Sequence, residues 1–301
     1  MTKRLIDELP KVRGLMEPAY DLRRINWLKI GGKAEAFFCP IDSDDLRHFL
    51  QKKPKHIPVT VIGEGSNILI RDGGIKGVVV TLGDWFNKIY NAGDTFEAGG
   101  AVACRALAQS AADAGIESLE FLYTIPGSVG GALKMNAGCF DHEMKEVFFE
   151  AESMEPDGTI CWFKKNDLQF GYRYCSLPQG YIFTRIWLKG SFSNSNLVHD
   201  NMRKLAEQRR RSQPSGVLTC GSLFKNPPGH KAWELIDKSG CRDIKCGGAS
   251  LSDVHCNFLV NNGNASSNDA ENLISTVRAK VLAATGIELE TELVIVGEPL
   301  N

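Results

Sequence analysis

What this sequence lacks narrows its function before any motif is considered. Its nine cysteines are scattered from Cys39 to Cys256 without one C-x-x-C pair, so neither a dithiol redox motif nor a zinc site is expected, and no metal. Neither sign of charge is in excess, and a formal net charge of −1 argues against nucleic acid or an anionic membrane surface as main partner. No apolar run approaches the roughly 20 residues that membrane insertion requires. The charged start Met1-Thr2-Lys3-Arg4-Leu5 is followed by no apolar core of signal-peptide length. A reducing, cytoplasmic setting is therefore the expectation for the thiols. Also absent are G-x-G-x-x-G and G-x-x-x-x-G-K-[ST], which removes the Rossmann and P-loop routes to nucleotide binding.

What is present is a chain of 301 residues, 43% hydrophobic and 24% charged, enough for two or three domains with their own cores. Pattern and turn signals divide it into three α+β units at 1–83, 84–194 and 195–301. The first opens on a partly helical lead-in with Leu5, Ile6, Leu9 and Val12 on one face. A helix over 44–53, capped by Asp42 and Ser43, and β-branched runs at 59–62, 68–70 and 78–82 follow. The second has a strand at 95–98, a helix at 102–114, a hairpin around Pro156-Asp157-Gly158 and a strand at 181–188; the Ser- and Asn-rich 190–196 reads as a linker. The third runs through helices at 197–211 and 231–239 and a strand at 257–260. A long helix capped near Ser266 then carries Leu273, Ile274, Val277, Val281 and Leu282 on one face, before a terminal strand over 288–296.

Two glycine-rich loops stand out, Gly63-Glu64-Gly65-Ser66-Asn67 and the longer Phe121–Gly138. Glycines let backbone N–H groups approach an anion without a Cβ in the way, and successive bare amides form an anion-binding nest. The longer loop holds only one basic residue, Lys134, so a phosphate there would be held mostly by backbone. Loops of this kind from separate strand-rich units, converging on one dinucleotide, are the expectation.

Taken in order, Gly63-x-Gly65-Ser66-Asn67, Ile125-Pro126-Gly127-Ser128-x-Gly130-Gly131, Met135-Asn136-Ala137-Gly138, Gly171-Tyr172-Arg173, Gly221-Ser222-x-Phe224-Lys225-Asn226-Pro227 and Leu289-Glu290-x-Glu292 form a series that resembles the UDP-N-acetylenolpyruvoylglucosamine reductase (MurB) family over roughly residues 25–298. The resemblance implies the two-subdomain FAD-binding fold of the vanillyl-alcohol oxidase type plus a C-terminal α+β substrate domain. It also implies FAD and NADPH as cofactors and a UDP-sugar enolpyruvyl ether as substrate. NADPH would reduce FAD, and hydride from flavin N5 would add to C3 of the enolpyruvyl ether while a proton reaches C2.

The family's site residues carry over motif by motif. Cofactor contacts would come from Gly63, Gly65, Ser66, Asn67, Ile125, Pro126, Gly127, Ser128, Gly130, Gly131, Asn136, Ala137 and Gly138. Arg173 and a protonated Glu292 would stabilise the enediolate that builds on the substrate carboxylate, and Ser222 would protonate C2. Position alone leaves Glu290 and Glu292 equivalent, because both alternate with Glu288; only the resemblance selects the second. Tyr172, Arg209, Arg210, Lys225, Asn226 and His255 would contact substrate. Only Ser176–Gly180 separates the Gly-Tyr-Arg segment from the next strand, which matches the short, type II form, and a monomer is expected. Departures include Asn26-Trp27 for the family's Asn-Thr, Tyr123-Thr124 for a small pair, and Val294 where an Arg commonly stands. Two other readings stay open: an alcohol or sugar oxidase of the same flavin fold, and a non-enzymatic nucleotide-sugar binding protein.

Overall fold

The computed structural model describes residues 4–300; Met1–Lys3, part of the segment read for a signal peptide, lie outside the described residues. Contacts divide the chain into two units. The first comprises residues 1–18, 36–64 and 77–209, and the second 19–35, 65–76 and 210–301.

In the first unit, β-branched and aromatic residues bounded by glycine turns produce the strands. A four-stranded sheet runs in the order Leu15–Asp21, Lys33–Cys39, Ile75–Val80, Val59–Val61. A five-stranded antiparallel sheet runs Ile160–Lys164, Phe148–Met154, Ile182–Lys189, Thr95–Gly99, Ile89–Asn91. Helix α1 (Ser43–Lys52) starts as its sequence dictates, with the Asp42 carboxylate accepting from Asp45 N, and it buries Leu46, Phe49 and Leu50. Helices α2 (Cys104–Asp113) and α3 (Val129–Lys134) pack into the core beside the larger sheet, with Leu107, Ala111, Val129 and Leu133 buried among Phe96, Ile186 and Leu188. A single turn, α4 (Met144–Val147), follows.

Two expectations change here. The helical lead-in is one 3-10 turn, Leu5–Asp7, followed by the strand Leu15–Asp21, because Pro10, Gly14 and Pro18 punctuate the stretch. Leu5 in that turn, and Leu9 and Val12 after it, still pack on the core, but not as the face of one helix. The Ser/Asn stretch is no loose linker either. Ser191 and Phe192 pair with Ile116–Glu117, Ser193 N donates to Gly115 O at 2.7 Å, and Ser195 Oγ donates to Ala112 O at 2.7 Å. Consequently residues 195–209, expected in the third unit, stay with the first: α5 (Ser195–Ser212) buries Val198 and Met202 in its core.

The second unit is built on a four-stranded antiparallel sheet, Leu218–Ser222, Phe258–Asn261, Ala249–Leu251, Lys245–Cys246. Against it lie α6 (Ala232–Lys238) and α7 (Ser267–Thr285), the latter opened by a Ser266–Asp269 capping box and closed by Gly286 at φ 72°. Leu273, Ile274, Val277 and Val281 are buried as the pattern predicts, whereas Leu282 is exposed. Leu28, Ile30 and Leu69 belong to this core, which is why two short segments from early in the chain fold with its last third. The terminal strand is shorter than expected. Val294–Val296 pairs in parallel with Ile68–Ile70, and before it only the bridge Phe224↔Thr291 is formed. Among the described residues no helix is long and apolar enough to cross a membrane.

Candidate active site

The residues singled out from the sequence fall into both units, and each unit arranges its share differently. In the first, the long glycine stretch is no uniform loop. Ser128 is the N-cap of α3, accepting from Gly131 N at 3.3 Å, and Gly130 and Gly131 lie in the first turn. Val129 N donates to Val102 O at 2.8 Å, Gly130 N to Gly100 O at 3.1 Å, and Cys104 N to Gly127 O at 3.0 Å. These bonds seat the segment on the turn after the strand Thr95–Gly99. A Cβ on Gly130 would lie 2.8 Å from Gly100 O, so glycine is required there. Gly99 and Gly100 are thus part of the same construction, which their place before a helix did not reveal.

The first glycine loop meets this one, because a Cβ on Gly63 would lie 2.8 Å from Ser128 Oγ. Ile125 is buried and Pro126 half-buried. The amides of Gly127 and Ser128 have no hydrogen-bond partner among the described residues. Two available donors, at a place kept clear by Gly63 and Gly127 (φ 103°), suit a pyrophosphate. Lys134, the loop's one base, donates instead to Leu177 O at 2.6 Å. Backbone, not cationic charge, is what this half offers an anion.

Met135–Gly138 is bonded extensively within the protein. Asn136 is fully buried in the left-handed region (φ 43°), and its amide is spent inside the protein: Nδ2 donates to Gly171 O at 2.9 Å and Glu143 Oε2 at 3.1 Å, and Oδ1 accepts from Lys145 N at 2.9 Å. Ala137 N donates to Ala132 O, and Ala137 O accepts from Met144 N. Gly138 O accepts from Arg173 Nη2 at 3.2 Å. This segment holds neighbouring parts of the chain in place.

Arg173 stands in the two-residue turn between Phe170–Gly171 and Tyr174–Cys175, with φ 56°. Its guanidinium stacks on the exposed Tyr172 ring at 4.9 Å. Of Arg209, Arg210 and Arg211, only Arg209 is half-buried, and burial holds its pKa below the usual arginine range. Burial raises the Cys139 thiol, while the Thr124 hydroxyl and the charges of Arg209 and Arg173 pull it back. Two cations therefore share one neighbourhood beside Cys139. Tyr123, at a departure from the family pattern, lies under Arg105, whose guanidinium is 4.4 Å from the ring and hydrogen-bonded to the phenol.

The second unit holds the remaining residues by backbone. Gly221 (φ 81°) sits in a register shift of the strand Leu218–Ser222, and Ser222 pairs with Phe258. Just beyond, Leu223 N donates to Asn257 O and Glu292 N to Leu223 O, both at 2.8 Å, which brings the Ser222 and Glu292 segments side by side. Asn67 joins them: its Nδ2 donates to Glu292 O at 3.1 Å, and its own carbonyl accepts from Val294 N at 3.3 Å. Gly65 (φ 64°) is packed so closely that a Cβ would lie 2.4 Å from Ile25 O, and Ser66 is half-buried beside it. The two carboxylates that sequence left equivalent now separate. Glu290 is exposed and takes Lys225 Nζ at 2.5 Å, whereas Glu292 is half-buried.

Other expected contacts have local duties. Asn226 Oδ1 accepts from Ala232 N at the start of α6. His255 packs edge-on to Phe258 at 4.9 Å, and its Nδ1 accepts from Asn257 N at 3.2 Å; burial lowers its pKa. Arg210 is exposed in this unit. Cys220, beside Gly221, is fully buried and pushed up to about 12, an inert thiol.

Sequence reasoning missed Asn257. Buried, it grips Phe224 from both sides, accepting from Phe224 N at 3.0 Å and donating to Phe224 O at 2.8 Å. Its only signal was an asparagine in the apolar run Cys256–Val260. Asn26 is also buried, with Nδ2 bonded to Leu22 O and Ile30 O and Oδ1 without a partner.

Comparison with known proteins fits this arrangement. A model described as "FAD binding domain" matches residues 34–164, and one described as the UDP-N-acetylenolpyruvoylglucosamine reductase C-terminal domain matches 213–296. The chain is 45% identical over 296 residues to the UDP-N-acetylenolpyruvoylglucosamine reductase of Beijerinckia indica, covering 98% of this chain and 95% of that protein. It is 43% identical to the Parvibaculum lavamentivorans protein of the same name, covering 98% and 96%. The crystal structure of MurB from Thermus caldophilus superposes with a TM-score of 0.82 at 32% identity, covering 95% of this chain and 99% of that one. A likeness that runs through both units, at this identity and over nearly the full length, makes the chain a member of the UDP-N-acetylenolpyruvoylglucosamine reductase family, the FAD-binding MurB reductases of peptidoglycan precursor synthesis.

Proposed function

We propose that this chain reduces UDP-N-acetylglucosamine enolpyruvate to UDP-N-acetylmuramate in the cytoplasm, as a monomer, with Arg173, Ser222 and Glu292 as its catalytic residues. Bound FAD, reduced by NADPH, supplies the hydride that adds to C3 of the enolpyruvyl double bond. Gly63, Gly65, Ser66, Asn67 and the segment Ile125–Gly131 hold that cofactor, with the Gly127 and Ser128 amides as donors to its pyrophosphate.

Hydride addition to a double bond conjugated with a carboxylate leaves negative charge on that carboxylate. Arg173 and Glu292 are assigned to stabilise it, and a preorganised donor is worth most where water is excluded. Ser222 then gives its hydroxyl proton to C2. A serine is a weak acid, so its geometry must be fixed in advance, and the register shift at Gly221 with the Leu223–Asn257 and Leu223–Glu292 bonds supplies that rigidity. Arg209, Arg210, Lys225, Asn226, His255 and Tyr172 are assigned to the sugar nucleotide; Arg209 suits the diphosphate best, because it is half-buried beside Cys139 and a guanidinium fork matches phosphate oxygens.

The observation that carries this reading is the backbone junction of Ser222 and Glu292 through Leu223. Purified protein should be yellow and should oxidise NADPH only when the enolpyruvyl sugar nucleotide is present. Colourless protein that FAD cannot reconstitute, or oxygen consumption with an alcohol donor in place of NADPH oxidation, would overturn it.

A further inference from the structure

The buried amide of Asn136 and the strained turn at Arg173 are tied to each other twice. Asn136 Nδ2 donates to Gly171 O, in the strand that enters the turn, and Arg173 Nη2 donates back to Gly138 O, in the segment that leaves Asn136. The bonds run in opposite senses, side chain to backbone each time, and lock one segment against the other. Asn136 is anchored in turn by Glu143, whose carboxylate also takes Lys145 Nζ at 2.6 Å, and by Lys145 N. The lock has something to resist. A non-glycine residue in the left-handed region costs about 1 kcal/mol or more, and Arg173 is held there at φ 56°. Without an anchor the turn relaxes, and its guanidinium moves with it.

We propose that Asn136 is a positioning residue for Arg173 rather than a contact for the cofactor. The proposal rests on the reading of Arg173 as an enediolate-stabilising group. It predicts a division between the half-reactions. Flavin binding and its reduction by NADPH do not need Arg173 in place, whereas reduction of the enolpyruvyl ether does, and a misplacement of about 1 Å there costs on the order of 100-fold.

Two substitutions isolate the amide. Asn136→Gly keeps the left-handed backbone at φ 43° and deletes only the side chain. Asn136→Asp keeps the shape and replaces a donor by an oxygen set against Gly171 O and the Glu143 carboxylate. For each, FAD content per chain, circular dichroism, the rate of flavin reduction by NADPH and the rate of reoxidation by the enolpyruvyl substrate are measured, alone and combined with Arg173→Ala. The expected result is full flavin content and an unchanged reductive rate, with reoxidation slowed about 100-fold. In the Arg173→Ala background the same substitutions should slow reoxidation no further. Loss of flavin from both variants, an unchanged reoxidation rate, or slowing that adds fully to that of Arg173→Ala would each overturn the proposal. If Arg173→Ala itself leaves reoxidation intact, the reading of Arg173 falls and this inference falls with it.

Discussion

The two units hold the side chains proposed as catalytic by opposite means. In the first, Arg173 sits at φ 56° on a two-residue turn secured by side-chain bonds from Asn136 and to Gly138 O. In the second, Ser222 and Glu292 are joined by backbone bonds through Leu223, with Asn257 and Asn67 closing the ladder. A backbone junction survives most substitutions, because every residue type carries the same N–H and C=O. A side-chain lock can be opened by changing one residue. The second unit should therefore tolerate sequence change around Ser222 and Glu292 better than the first tolerates it around Arg173.

The second unit is most vulnerable where it does depend on a side chain. Glu292→Ala leaves the backbone junction intact and removes the donor, so any loss is chemical; reoxidation by the enolpyruvyl substrate should fall by about 1,000-fold while the NADPH half-reaction is unchanged. Glu290→Gln, one turn of the alternation away and paired with Lys225, should change reoxidation less than about tenfold in the same stopped-flow measurement. Asn257→Ala leaves Phe224 N and O unsatisfied in a buried place, at a cost of about 2–3 kcal/mol in urea unfolding, because each orphaned group carries its full desolvation penalty.

The first unit's close approaches are tested next. Gly63→Ala places a methyl 2.8 Å from Ser128 Oγ and should weaken FAD binding by about tenfold, read by flavin fluorescence on titration. The smallest effect concerns pH. Burial lowers the folded pKa of His255 below its ordinary 6.5, so the unfolded chain binds its proton first as pH falls. Stability should be full above that ordinary value and decline as pH drops from 6.5 toward the lowered folded pKa. His255→Gln should flatten that part of the unfolding profile.

Much of this was legible in the sequence because it depends on local rules. Asp42 and Ser266 cap helices where short polar side chains precede apolar periodicity. The glycine loops announce themselves because close approach needs no Cβ. What was not legible depends on tertiary contacts. Nothing local shows that the Asn136 amide is bonded to Gly171, Glu143 and Lys145, since an asparagine in a glycine-rich stretch serves several purposes. Glu290 and Glu292 alternate identically, and Lys225 separates them only after folding. The segment after Gly190 looks like a linker by composition, yet Ile116–Glu117 gives it a partner that no sequence window contains. The recruitment of Leu28, Ile30 and Leu69 into the last unit's core is of the same kind.

Ser222 is the group proposed to protonate substrate. Rapid mixing of Ser222→Ala with NADPH, followed by the enolpyruvyl sugar nucleotide, tests it directly. Flavin reduction should keep its native rate, and reoxidation should slow by orders of magnitude. Reoxidation at the native rate would contradict the assignment, and loss of both half-reactions would mean that Ser222 serves the fold.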